Sequence, residues 1–200
     1  ILEQSPAKHV HYTITTPLTG PVLDLALCSM EASMLLCSKH HCIVNIWVIN
    51  QASNDLHQQD WYKRMENSLH GRYCIRSDNT VIGGPDCVRA HECGDGKILR
   101  QWLKSDLAAN QLPAHISDAW RLVALRELGG LYLDADVLPI SSNLLYLPNT
   151  TIPTQETVGA YRINGGVLKM PEPDCREDYS SKPMFLDRLV EDHLYWAPQL

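Results

Sequence analysis

Asp134 and Asp136 stand two positions apart at the end of Gly129-Gly130-Leu131-Tyr132-Leu133-Asp134-Ala135-Asp136. Two carboxylates brought close together at the end of an apolar strand repel each other and lose hydration. A Mg²⁺ or Mn²⁺ ion removes that conflict, because hard cations take oxygen ligands and share their coordination between one or two carboxylates and phosphate oxygens. The pair is therefore suited to holding a divalent cation against a diphosphate. Upstream, Ser117-Asp118-Ala119-Trp120-Arg121 adds an acid and a base one helical turn apart. They lie on or beside the stripe of Leu122 and Leu125, so they point toward the protein rather than toward water.

The elements that position these groups follow from patterning. Ser117 is a good N-cap, and Asp118 in the first turn suits the positive end of a helix dipole. Leu122, Leu125 and Leu128 continue the helix, Gly129 fits a left-handed C-cap, and Leu131 to Leu133 reads as a short apolar strand. Strand alternation then turns Asp134 and Asp136 one way and Ala135 the other. Near the start, Val10, Tyr12 and Ile14 alternate with His9, His11 and Thr13, a first strand ending at Thr15-Thr16-Pro17. On this reading His9 and His11 are surface strand residues. Pro21 to about Leu36 is a helix with proline in its first turn, and Ile43 to Ile49 is a β-branched strand. Strand, helix and strand in this order imply parallel pairing with a right-handed crossover. In such sheets ligands collect at the carboxyl ends of the strands, where the acid pair falls. Residues 51–96 read as an insertion to one side of the sheet, with Trp61-Tyr62 serving packing in preference to a sugar platform. Residues 97–109 read as a further helix, with Leu99, Leu103 and Leu107 on one face.

Ser117-Asp118-x-x-Arg121, Gly129-Gly130-x-Tyr132-x-Asp134-x-Asp136 and Val137-Leu138-Pro139 together resemble the DXD sugar-binding region of a glycosyltransferase family. That family contains the α-1,4-galactosyltransferases, the α-1,4-N-acetylglucosaminyltransferases and the yeast Golgi initiating mannosyltransferases. The galactosyltransferase and N-acetylglucosaminyltransferase branch is the closer match. Cys28-Ser29-Met30-Glu31-Ala32-Ser33, Ile163-Asn164-Gly165-Gly166-Val167-Leu168 and Trp196-Ala197-Pro198-Gln199-Leu200 resemble its flanking elements in the same order. The resemblance implies an α/β, GT-A-like nucleotide-sugar-binding fold, with a mainly parallel central sheet flanked by helices. It implies Asp136 as principal metal ligand, with Asp134 near the metal and the ribose. Asp118 and Arg121 would hold sugar hydroxyls and steady the diphosphate. Asn164 would sit beside the donor sugar and Gln199 near the anomeric carbon. The cofactor implied is Mn²⁺ or Mg²⁺, the partners a UDP-sugar donor and a glycan or glycolipid acceptor, and the place the Golgi lumen. The expected activity is hexosyl transfer with retention of configuration. GDP-mannose is the alternative donor, and a relative that binds a sugar nucleotide without turnover is the alternative function.

Composition fits this reading. With 200 residues and 44% hydrophobic content, the chain is sized for a single catalytic domain over residues 1–200. A net charge of −6 without basic runs gives no attraction to nucleic acid. Seven cysteines point to a secretory compartment and one or more disulfides, with at least one cysteine free or paired elsewhere. The sequon Asn149-Thr150-Thr151 agrees. Cys37-x-x-His40-His41-Cys42 fits no standard zinc spacing and has no evident second half-site. No stretch approaches the ~20 apolar residues that span a bilayer. The chain begins at Ile1 without a methionine and stops at Gln199-Leu200 inside a motif, so it is expected to be a fragment truncated at the C-terminus, and the resemblance implies a membrane anchor upstream of it. A competing class, phosphatases that use Asp-x-Asp as nucleophile and acid, fits less well, because Leu138 occupies the place where those enzymes carry threonine.

Overall fold

Apolar residues at three- and four-residue spacing make one side of the first long helix a packing surface, and that surface decides the layering. The computed structural model describes residues 6–15, 20–49, 60–67, 73–76, 81–83, 87, 112–148, 154–157, 160–163 and 166–171. Strand β1 (His9–Ile14) leads to helix α1 (Gly20–His40), which buries Ala26, Leu27, Met30, Met34 and Cys37. Lys39 and His40 in its last turn suit the negative end of the helix dipole. His41 turns the chain through a left-handed conformation, φ 57°. Strand β2 (Ile43–Val48) then pairs in parallel with β1, so the strand–helix–strand unit forms as expected, though α1 runs four residues beyond Leu36. Helix α2 (Asp60–Glu66), β3 (Tyr73–Arg76) and β4 (Val81–Gly83) follow. Beyond them come α3 (Pro113–Leu128), β5 (Gly130–Leu133), a 3-10 turn (Ser142–Tyr146), a hairpin of β6 (Thr154–Thr157) and β7 (Ala160–Ile163), and β8 (Val167–Met170).

Six strands form one sheet in the order β4-β3-β2-β1-β5-β8. The inner four are parallel, and β4 and β8 are antiparallel at the edges. Helix α1 covers one face through Tyr12, Ile14, Ile46, Leu131 and Leu133, joined by Trp61, Tyr62 and Met65 of α2. Helix α3 covers the other, packing Ile116, Ala119, Trp120 and Val123 on Trp47 and Ile49. Trp61 and Tyr62 are therefore core residues. The mixed α/β architecture expected from the sequence is present.

Several local expectations are corrected. Because β1 lies between two helical layers, both of its faces are buried, and His11 is fully buried rather than a surface residue. Helix α3 begins at Pro113, whose missing N–H costs nothing in a first turn, so Ser117 lies inside the helix and is not its N-cap. Strand β5 ends at Leu133, and Asp134 to Asp136 form a turn closed by the Val137 N–H on Asp134 O at 2.9 Å. Cys37 and Cys42 form a disulfide, as do Cys74 and Cys87, while Cys28 is free. Residues Pro21–His40 are, by length and composition, apolar enough to cross a membrane, contrary to the sequence expectation, yet this helix forms one layer of the core. The expected helix at 97–109, Asn149, Asn164 and Gln199 lie outside the described residues.

Two glycines join α3 to β5. Gly129 has φ 63° and donates its N–H to Leu125 O at 2.9 Å, ending the helix. Gly130 has φ 94°, and a Cβ there would collide with the carbonyl of His9. Only glycine allows β5 to lie this close to β1.

Candidate functional site

Strand order brings the carboxyl ends of β1 and β5 together beside the first turns of α3, where Thr13, Ser117 and Tyr132 meet. Thr13 Oγ1 bonds Ser117 Oγ at 2.5 Å and the Tyr132 hydroxyl at 2.9 Å. Tyr132 in turn donates to Asp134 Oδ1 at 2.9 Å. Asp134 thus continues the face of β5 that carries Tyr132, and the turn after it carries Asp136 to an exposed position. Burial is the main cause that pushes the Tyr132 hydroxyl well above the ordinary phenol range, so it stays a donor.

Arg121 joins α3 to these acids. Its Nη2 bonds Asp118 Oδ1 and lies 3.4 Å from Asp134 Oδ1. Its guanidinium sits over the Tyr132 ring, 4.8 Å from the centroid, a cation–π contact. Its Nε is buried and has no hydrogen-bond partner. Buried donors are rarely left unpaired, so this one marks a place for an acceptor.

Asp118, Arg121, Tyr132, Asp134 and Asp136 line one cavity of about 620 Å³, with Thr13, Ser117, Val22, Leu25 and Pro113 among its other walls. Four of the residues singled out from sequence are brought together. The acids share the cavity because a turn follows the strand, not because of strand alternation. The sequence reading missed Thr13 and the hydroxyls of Ser117 and Tyr132. Tyr132 had a signal, since it stands two residues before Asp134 on a strand and so shares its face. The Thr13–Ser117 bond spans 104 residues and has no local signal.

A divalent cation suits this donor set. Among the described residues no group of three or more His, Cys, Asp or Glu side chains is arranged to hold a metal. Asp134 and Asp136 would contribute carboxylate oxygens to such an ion, and phosphate oxygens are the partners hard cations favour beside them. The unpartnered Nε of Arg121 offers a donor to the same anion.

A cavity at the carboxyl ends of a mainly parallel sheet puts the domain in the α/β class, in which ligands collect at that edge. The family follows from comparison. Residues 36–158 match the model described as "Glycosyltransferase sugar-binding region containing DXD motif", and the chain belongs to that family. This replaces the phosphatase alternative; glycosyltransferases with the DXD motif are generally dependent on a divalent metal. No curated protein sequence matches the chain. Among solved structures, the chain is similar in fold to one named "PaToxG Glycosyltransferase", with TM-score 0.51 and 17% identity over 96% of this chain. It spans 62% of that protein's length. It is also similar to a transferase bearing two cysteine-to-serine substitutions, with TM-score 0.52 and 12% identity, covering 96% of this chain and 85% of that one.

Proposed function

We propose that this chain is the catalytic domain, over residues 1–200, of a hexosyltransferase that moves galactose or N-acetylglucosamine from a UDP-sugar to a glycan or glycolipid. Retention of configuration and the α-1,4 branch are part of the proposal. What carries it is the convergence of Asp118, Arg121, Asp134 and Asp136 on one cavity. Mn²⁺ or Mg²⁺ held by Asp134 and Asp136 would act as a Lewis acid toward the departing diphosphate. Arg121 donates to the diphosphate and adds fixed positive charge. Asp118 accepts from a sugar hydroxyl, and Tyr132 holds the Asp134 carboxylate in place. Val22 and Leu25 give the cavity part of its apolar wall. By resemblance, Asn164 lies beside the donor sugar and Gln199 near the anomeric carbon.

In the reaction the bond from the anomeric carbon to the diphosphate oxygen breaks, and a bond to the acceptor oxygen forms on the same face. The acceptor's proton passes to the leaving diphosphate. A sugar–enzyme adduct found by mass spectrometry would overturn this front-face route. Two disulfides suit an oxidising compartment, which supports the Golgi lumen.

The test is release of UDP from UDP-galactose and UDP-N-acetylglucosamine with Mn²⁺, alongside GDP-mannose, for the wild type and Asp136→Asn. Turnover with a UDP-sugar that the substitution abolishes supports the reading. Saturable binding without turnover identifies a non-catalytic relative.

A further inference from the structure

Arg121 is paired with two acids, Asp118 and Asp134. Its side chain is 11% exposed, against 51% for Asp118 and 33% for Asp134. The guanidinium therefore enters the cavity from the protein side and meets Asp134 at Oδ1, the same oxygen that accepts from Tyr132. Asp136 has no hydrogen-bond or ion-pair partner among the described residues. Among the described residues, then, Arg121 is the positive charge paired with Asp134.

Resting on the assignment of Asp134 and Asp136 to a cation, we propose that Arg121 stands in for that cation in the ligand-free protein. It passes to the nucleotide diphosphate when the cation binds, so that cation and nucleotide bind as a coupled pair. Two positive groups on one carboxylate repel, so a divalent ion on Asp134 displaces the guanidinium. Asp118 keeps it tethered in the cavity. Its unpartnered Nε already lacks an acceptor, and the diphosphate supplies one. The nucleotide thereby lowers the cost of separating Arg121 from Asp134, and the cation lowers the cost of presenting Arg121 to the nucleotide. This coupling is reciprocal by linkage.

The experiment titrates Mn²⁺ with and without UDP, following the electron paramagnetic resonance signal of free Mn²⁺, in the wild type, Arg121→Ala and Arg121→Gln. The glutamine variant keeps a stem packed on Tyr132 and carries the comparison if the alanine variant melts early. Without UDP, the variants should bind Mn²⁺ about fivefold more tightly, the scale of a partly exposed ion pair. The factor by which UDP strengthens Mn²⁺ binding should fall about tenfold. Tighter Mn²⁺ binding by an equal factor with and without UDP would mean that Arg121 only repels the ion and does not move, and overturns the exchange. Unchanged or weaker Mn²⁺ binding without UDP, with UDP-dependent binding intact, overturns it while leaving the cation site standing. Absence of Mn²⁺ binding by the wild type even with UDP removes the cation site and the exchange together.

Discussion

His11 and Thr13 stand two residues apart on one face of β1, both buried and both bonded to what α3 and β5 deliver, yet their networks end differently. His11 donates from Nε2 to Gly129 O at 2.7 Å and accepts from Trp47 Nε1 at 3.2 Å. Around it, Arg76 Nε donates to Asn45 Oδ1 at 2.7 Å and Asn45 Nδ2 donates to His9 Nδ1 at 3.3 Å. Burial first, then the neighbouring His9 and Arg76, hold the His11 pKa down to about 3, against a bond to Gly129 that pulls it up. Both ring nitrogens are thus engaged in a neutral ring. The Thr13 network runs instead through Ser117, Tyr132 and Asp134 to Arg121, where one donor has no partner, and it shares its cavity with the exposed Asp136. A polar cluster whose groups complete one another holds the fold. The second cluster leaves a buried donor of Arg121 without a partner and an exposed carboxylate on the cavity wall, so it does not close on itself.

Substitutions should separate the two networks. Asp136→Asn should lower kcat/KM by about 10³-fold, the scale of Lewis-acid stabilisation of a leaving group, and change stability by less than about 0.5 kcal/mol. Equal losses of both would place Asp136 in the structural network instead. His11→Ala should do the reverse, costing about 3 kcal/mol in urea denaturation by leaving Gly129 O and Trp47 Nε1 unpaired.

The same histidine sets a pH dependence. Between about 6.5 and about 3 the unfolded chain carries a proton on His11 that the folded chain does not. Stability therefore rises with pH across that window and is lost on acidification, at a limiting slope of about 1.4 kcal/mol per unit. From pH 7 to pH 5, wild type should lose about 2 kcal/mol relative to His11→Gln, whose amide can replace both hydrogen bonds without titrating. A difference that does not change with pH would refute a neutral buried ring. The smallest effect is expected from Tyr132→Phe, which touches both functions. It should cost about 1 kcal/mol of stability for the lost hydroxyl bonds and reduce activity about tenfold through a less well held Asp134. Full activity would remove Tyr132 from the positioning of that acid.

The contrast also explains what the sequence could show. Asp118, Arg121, Asp134 and Asp136 were legible because each lies in a short local pattern, and the parallel strand–helix–strand unit was legible from periodicity. Ser117 misled, since an N-cap residue type followed by an acid looks like a helix start, whereas Pro113 had already begun the helix and the Ser117 side chain is used across the sheet. His11 misled for a related reason. Alternation of apolar and polar residues suggests a strand with one wet face, but α3 covers that face, and only the tertiary partners Trp47 and Gly129 make a buried histidine tolerable.

Gly130 controls the geometry of the cavity floor from outside it. Its hydrogen occupies the place where any side chain would meet the His9 carbonyl, so the gap between the first strand and the strand bearing the acids is fixed by an absent methyl group. Enlarging that residue would push Leu131 and Tyr132 outward together and carry Asp134 with them. The position of Asp134 in the cavity is thus exposed to a mutation four positions away, at a residue that does not line it.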